Sequence, residues 1–293
     1  MAHSFAQHHS MSSFTDDSAA PYGVSSDSDD CYDLDDDDVL EDMNAMLSIN
    51  PITKERLRRI PNTQTYANSV NVYVGRPRSG KTHLALHDII SVTRNDPNTH
   101  LLVYINESGQ CDDDTFDRFQ SLINVPVIFV KYRDSEKYLR ELLRYKLIYN
   151  KIKSTNTPLH EIPQAVRDEL CENLHITDFN RDYLHTLIMT EDATNAKQLR
   201  KADSYINDLL TRCAHTQFSF FILIHYWKAL TTNIKGNLST IYIFGGYSRQ
   251  QLTYMLYQMN IPVGVKELWN AYSSMPRYTK LMIDCNRCEF KVQ

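Results

Sequence analysis

The chain has 293 residues, 42% of them hydrophobic and 23% charged, with a formal net charge of −5, the composition of a globular protein with a sizeable core. Its longest apolar run, Phe218 to Trp227, is too short to cross a membrane, and its first residues carry no Lys or Arg to open a secretory signal, so the expectation is a soluble intracellular protein with no membrane span. Six scattered cysteines are too few for a disulfide framework, and the one close pair, Cys285 and Cys288, lacks the second pair that a zinc site needs.

In chain order, residues 1–50 come first and hold twelve of the 36 Asp and Glu but none of the 31 Lys and Arg, so the remainder carries an excess of seven positive charges. The stretch SSDSDDCYDLDDDDVLEDM is poor in apolar residues and cannot offset the entropy of ordering, so residues 1–48 are expected to be a disordered acidic tail. Such a tail either solubilises the protein, or docks a partner or competes with nucleic acid for the basic body.

Residues 49–293 read as one domain of alternating elements. Val70 to Val74 is a buried strand, Thr82 to Arg94 a helix, Leu101 to Asn106 and Val125 to Tyr132 further strands, and Ser135 to Lys153 a helix with one apolar face. Residues 154–182, mixed and polar with Pro158 and Pro163, have the look of an insertion. Then come an apolar strand running into Asp192, a polar helix from Ala196 to about Arg212, the run from Phe218 to Trp227, and a strand at Thr240 to Gly246. Strands separated by helices predict an α/β fold with a mostly parallel sheet covered on both faces.

The first strand runs directly into Gly75-Arg76-Pro77-Arg78-Ser79-Gly80-Lys81-Thr82, which matches G-x-x-x-x-G-K-[ST] between a strand and a helix. These eight residues are the expected ATP-binding loop. Glycines let the backbone wrap closely, amide N–H groups and the helix start face the phosphates, Lys81 reaches the β and γ oxygens, and the Thr82 hydroxyl ligates Mg²⁺. Pro77 removes one backbone donor. Arg78, standing where a small residue is common, either folds back on the γ-phosphate or is solvated.

A hydrolytic loop needs acids nearby, and Glu191-Asp192 ends the strand LHTLIMT. Glu191 is the expected metal acid and Asp192 the expected base that polarises water; the alternative is that the pair caps the following helix. His225 ends the strand FSFFILI, where a polar group can sense the γ-phosphate; the alternative is an ordinary hydrogen-bonded histidine.

The order of VGRPRSGKT, an acid pair after a hydrophobic strand, a polar helix, FFILIHYWKALTTNIKGNLSTIYIF and SRQQLTYML resembles the viral genome-packaging ATPases of the poxvirus and adenovirus type, in the FtsK/HerA group of ring-forming DNA translocases, over about residues 65–262. The family's pair usually begins with Asp, whereas Glu191 comes first here, which leaves the division of roles between Glu191 and Asp192 open. His225 agrees with the adenovirus type, where other relatives carry Gln. The resemblance implies a RecA-like (ASCE) P-loop fold, hydrolysis of ATP with Mg²⁺, and a homo-oligomeric ring that threads double-stranded DNA into a shell of capsid or portal proteins. It also implies a place inside the host cell, nucleus or cytoplasm not distinguished, or in the virion. In such a ring a neighbour supplies an arginine. Arg212 is the first candidate and Arg249 the second, each with a solvated surface role as the alternative. Lys228, Lys235 and the run Arg56 to Arg59 are possible contributors to a DNA path, where phosphate contacts suffice.

Other classes using such a loop fit less well. A GTPase needs Asn-Lys-x-Asp, but Asn150-Lys151 is followed by Ile152-Lys153. A small-molecule kinase needs an Arg-rich lid and no acid pair poised to activate water, and a non-enzymatic assembly scaffold would bind nucleotide without turnover.

Overall fold

The computed structural model describes residues 58–111, 114–194, 196–259, 264–276 and 279–293; the expected acidic tail and Arg56 lie outside the described residues. The strands are β1 (Val70–Val74), β2 (Thr99–Asn106), β3 (Val127–Lys131), β4 (His185–Thr190), β5 (Phe218–Ile224), β6 (Thr240–Phe244), β7 (Lys280–Asp284) and β8 (Glu289–Val292). They form one sheet in the order β3-β2-β4-β5-β1-β6-β7-β8. The first six run parallel, and β7 and β8 add an antiparallel hairpin at one edge. That hairpin follows an uninterrupted series of parallel strands, and the alternating reading did not anticipate it.

The helices are α1 (Lys81–Asn95), α2 (Asp114–Gln120), α3 (Ser135–Ser154), α4 (Gln164–Leu174), the short α5 (Lys197–Arg200), α6 (Tyr205–Thr211), α7 (Cys213–Thr216), α8 (Thr232–Gly236), α9 (Arg249–Met259) and α10 (Val265–Ser273). β1, β4, β5 and β6 are buried at every position, because residues alternate between two covered faces. Val70, Val72 and Val74 join Phe220, Ile222 and Ile224 on one face, packed under Leu139 and Leu143 of α3, Leu170 of α4, Leu209 of α6, Leu252 of α9 and Leu268 of α10. Tyr73, Phe221, Leu223 and Tyr242 face the other way, against Ala85, Leu86 and Ile89 of α1 and Phe116 of α2.

Two local readings change. The helix expected from Ala196 to Arg212 is broken into α5, α6 and α7, because Lys201 is extended and the Ser204 side chain accepts the Asn207 N–H to start a new helix. The segment expected as an insertion, 154–182, includes α4, whose Leu170 and Leu174 are part of the same core as the sheet. The sheet order carries the functional consequence. β1 lies between β5 and β6, and β4 lies beyond β5, so the loop after β1, the acids after β4 and His225 after β5 emerge on one edge.

Candidate nucleotide site

β1 ends at Val74, and Gly75 to Gly80 turn the chain into α1. A Cβ on Gly75 would lie 2.5 Å from Ser79 Oγ and 2.9 Å from Phe244 Cβ, so the loop closes only around glycine there. Gly80 holds φ 95°, a left-handed conformation that glycine adopts freely. Arg78 is also left-handed, at φ 60°, which costs a non-glycine residue about 1 kcal/mol. α1 starts with no side-chain cap and no acidic residue in its first turn, leaving its amides and the positive end of its dipole to an anion. Ser79 Oγ is buried without a hydrogen-bond partner. A glycine-lined turn, an uncapped helix start and an orphaned buried hydroxyl together fit a phosphate group.

Lys81 is buried beneath this turn. Its Nζ donates to Gly75 O at 2.8 Å and Arg76 O at 3.0 Å, and lies 3.1 Å from His225 Nδ1. Burial lowers its pKa to about 8, with the charges of Asp192 and Glu191 pulling the other way.

Beyond β4, Glu191 is held on three sides: its N–H donates to Ile105 O at 3.0 Å, its carbonyl accepts from Tyr132 OH at 2.8 Å, and its carboxylate accepts from Tyr104 OH. Burial pushes the Tyr132 phenol far above its ordinary value, so it remains a donor. Asp192 takes φ 44°, which turns its carboxylate outward; the side chain is 59% exposed and lies 3.2 Å from His225 Nε2. His225 is itself pinned through its main chain, its N–H donating to Thr194 Oγ1 at 2.8 Å and its carbonyl accepting from Tyr247 OH at 2.8 Å.

These contacts define a chain. A protonated Lys81 can only donate, so His225 Nδ1 is the acceptor and Nε2–H donates to Asp192. The 3.0 Å approach of Nδ1 to Gly75 O is then not a hydrogen bond; the Lys81 ammonium bonds to both atoms. Lys81, His225 and Asp192, far apart in sequence, thus form one connected group across the phosphate loop.

The other expected residues fall as follows. Arg76, Pro77 and Arg78 are exposed on the turn, and Thr82 is half-buried on the first turn of α1. Arg76 lies against Gly246, where an added Cβ would come within 3.1 Å of its Nε. The acids do not cap the next helix, since α5 starts at Lys197 after Ala196. Arg212 precedes β5, so it lies at the opposite edge of the sheet, roughly 20 Å along the strand from the loop, with its Nε 2.9 Å from Asp208 Oδ1. Arg249 opens α9 on the loop's own edge and is exposed. One expected DNA contact is corrected: Lys235 is buried, with its Nζ donating to Gln258 Oε1 at 2.8 Å, while Arg59 is half-buried and donates to Thr63 O and Gln64 Oε1 of its own turn. Lys228 is exposed. Arg58 donates to Tyr183 OH at 2.7 Å.

Tyr104, Tyr132, Thr194 and Tyr247 were not singled out from the sequence. Tyr104 stands near the end of β2, beside the acid strand, and Tyr132 just after β3, one strand further out, so aligning strand ends against LHTLIMTED would have pointed to Tyr104 first. Thr194 and Tyr247 act from loops, which carry no such register.

No family model matches the chain, and no curated protein matches it. Among solved structures, it is similar to the DNA-packaging ATPase B204 of Sulfolobus turreted icosahedral virus, at 13% identity and a TM-score of 0.49 over 77% of this chain and 97% of that one. It is similar to the genome-packaging NTPase B204 of Sulfolobus turreted icosahedral virus 2 in complex with ATP-γS, at 14% identity and a TM-score of 0.47 over 77% of this chain and 96% of that one. It is also similar to the cytoplasmic domain of the type VII secretion ATPase EccC of Thermomonospora curvata, at 11% identity and a TM-score of 0.43 over 73% of this chain and 24% of that one. The mostly parallel sheet, with the loop after β1 at the ends of its strands, is the chain's own evidence for an α/β fold.

Proposed function

We propose that this chain hydrolyses ATP with Mg²⁺ and uses the energy to move double-stranded DNA into a capsid, working as a homo-oligomeric ring. The observation that carries the hydrolytic reading is the connected group Lys81–His225–Asp192 across a phosphate-fitting loop. The order of sequence segments that resembles packaging ATPases supports the DNA-moving part.

In this reading Lys81 leaves the carbonyls of Gly75 and Arg76 for the β and γ oxygens of the nucleotide. Its departure frees His225 Nδ1, so the imidazole reports the arrival of the γ-phosphate while Nε2–H stays on Asp192. Asp192, exposed and turned outward, accepts the proton of the attacking water. Glu191, oriented by Tyr104, and Thr82 hold the metal side. Bound Mg²⁺ neutralises charge on the transferring phosphoryl group.

The test is ATP turnover by the full chain with and without double-stranded DNA, over a dilution series. Turnover that rises with DNA and falls on dilution is expected. Turnover that responds to neither would remove the ring and DNA parts, and tight ATP binding without turnover would leave the scaffold reading. A neighbour's arginine is tested by mixing Lys81→Ala with Arg212→Ala, and separately with Arg249→Ala. Rescued turnover in one mixture identifies the finger, an effect on the order of 10³ or more in better-studied systems.

A further inference from the structure

A cleft of about 640 Å³ opens on the β6 side of the phosphate loop, lined by Arg78 and Ser79 of the loop and by Trp269 and Tyr272 of α10. β1 has β5 on one side and β6 on the other, so this cleft and the group His225–Asp192 flank the loop from opposite sides. A nucleoside triphosphate has the same polarity, with its γ-phosphate at one end and its base at the other.

The walls suit a flat aromatic ligand. Tyr272 is buried and fixed, its OH donating to Phe244 O at 2.8 Å and accepting the Tyr247 N–H at 3.0 Å, so it ties α10 to the turn after β6. Trp269, half-buried, stands 6.0 Å from Tyr272 with the rings tilted by 35°. The indole therefore rests on a rigid neighbour and still offers surface to the cleft. Besides the loop's own groups, the polar side-chain groups of the lining are the hydroxyls of Tyr247, Tyr272, Ser273 and Thr279 and the Trp269 indole N–H; no Asp, Glu, Asn or Gln side chain lines it among the described residues. Among the described residues, then, the lining holds no carboxylate that would accept from the N1–H and amino group of guanine and no side-chain amide that would read the edge of adenine.

We propose that this cleft is the nucleobase subsite, that Trp269 stacks on the base, and that the subsite selects purine over pyrimidine by ring area without distinguishing adenine from guanine. The proposal rests on the nucleotide-binding reading of the loop. The chain's preference for ATP in a cell would then follow from ATP's abundance and not from recognition of its base.

The experiment measures the binding of ADP, GDP, CDP and inorganic tripolyphosphate to the full chain and to Trp269→Ala. The unaltered chain is expected to bind ADP and GDP within about threefold of each other and CDP on the order of tenfold more weakly, as the smaller ring stacks less. Trp269→Ala is expected to weaken ADP and GDP on the order of tenfold while leaving tripolyphosphate unchanged. Equal ADP binding by Trp269→Ala and the unaltered chain would overturn the subsite and leave the nucleotide reading standing. Failure of the unaltered chain to bind either ADP or tripolyphosphate would overturn both. An independent readout avoids any folding defect at α10: the chain has two tryptophans, so Trp227→Phe leaves Trp269 as the sole reporter. Its emission is expected to be quenched by ADP and untouched by tripolyphosphate, and an emission blind to ADP at saturation would overturn the stacking.

Discussion

The same three residue types stand at both edges of the sheet, with opposite outcomes. At the loop edge stand Lys81, His225 and Asp192; at the other edge stand Lys146, His185 and Asp96. In the second group His185 Nδ1 donates to Asp96 Oδ2 at 2.6 Å and Nε2 accepts from Ser219 Oγ at 2.8 Å. Lys146 donates to Thr186 Oγ1 and Gln217 O, both at 3.0 Å, with its ammonium 3.8 Å from the centre of the Phe218 ring. Lys146 and His185 are fully buried and Asp96 is 2% exposed, whereas the side chains of His225 and Asp192 are 23% and 59% exposed. The Ser219–His185–Asp96 arrangement copies the hydrogen bonds of a hydrolytic triad, but no substrate can reach it. Residue type does not make a site; access, an unpaired donor waiting for a ligand and a backbone held in a costly turn do, and only the loop edge has all three.

That contrast can be broken from either side, most forcefully at the buried edge. His185→Ala leaves Asp96 buried without its main partner and is expected to cost about 3–5 kcal/mol of stability in denaturant unfolding, with turnover per folded molecule unchanged. Loss of turnover in the folded variant would show that the buried group also serves the reaction. Lys81→Ala is expected to do the reverse. ATP turnover falls by at least about 10²-fold, while stability holds or rises, because a buried ammonium with a lowered pKa burdens the fold.

The two edges also separate by pH. Free Lys81, with its pKa near 8, loses its charge earlier than an ordinary lysine. Triphosphate affinity is therefore expected to be flat below pH 8 and to fall up to tenfold per pH unit above it; a flat profile to pH 10 would contradict the buried, charged role. At the other edge, burial drives the Lys146 ammonium well below its ordinary value. Between that lowered value and the ordinary one the unfolded chain holds more of this proton than the folded chain does, so the Lys146 contribution makes stability rise with pH up to the normal lysine range. Burial works to raise the Asp96 carboxyl, but hydrogen bonds and charge from His185, with help from Thr99, outweigh it and leave its pKa below the ordinary value. Its contribution is complete above the ordinary carboxylate pKa and is lost as pH falls through the lowered one. The smallest expected effect is Tyr104→Phe, which removes one hydrogen bond that orients the Glu191 carboxylate and raises the Mg²⁺ needed for half-maximal turnover on the order of tenfold; an unchanged Mg²⁺ requirement would remove Glu191 from the metal side.

Much of the loop edge was legible because its signals are local. Gly75 to Thr82 announce a tight turn and a helix start within eight residues, and the acids and His225 each end an apolar run. Their meeting follows from the sheet order, in which the strand bearing His225 separates the loop strand from the acid strand. Less legible were features set by distant partners. Lys235 reads as a surface cation in sequence, yet Gln258 and Trp227 draw it inward. Trp269 and Tyr272 lie on α10, well beyond the motifs, and only the fold of the turn after β6 brings them beside the loop. The β7–β8 hairpin was missed because the apolar run of β7 is only the three residues Leu281 to Ile283 between polar neighbours, and β8 is mostly exposed and carries no such run.

The central claim is that Asp192, reached from Lys81 through His225, acts on water and not on nucleotide binding. The direct test measures ATP affinity and single-turnover hydrolysis separately in Asp192→Asn, a nearly isosteric change at an exposed side chain that should leave the fold intact. ATP bound with near-normal affinity and then held unhydrolysed is the predicted result. Hydrolysis at the unaltered rate would contradict the account.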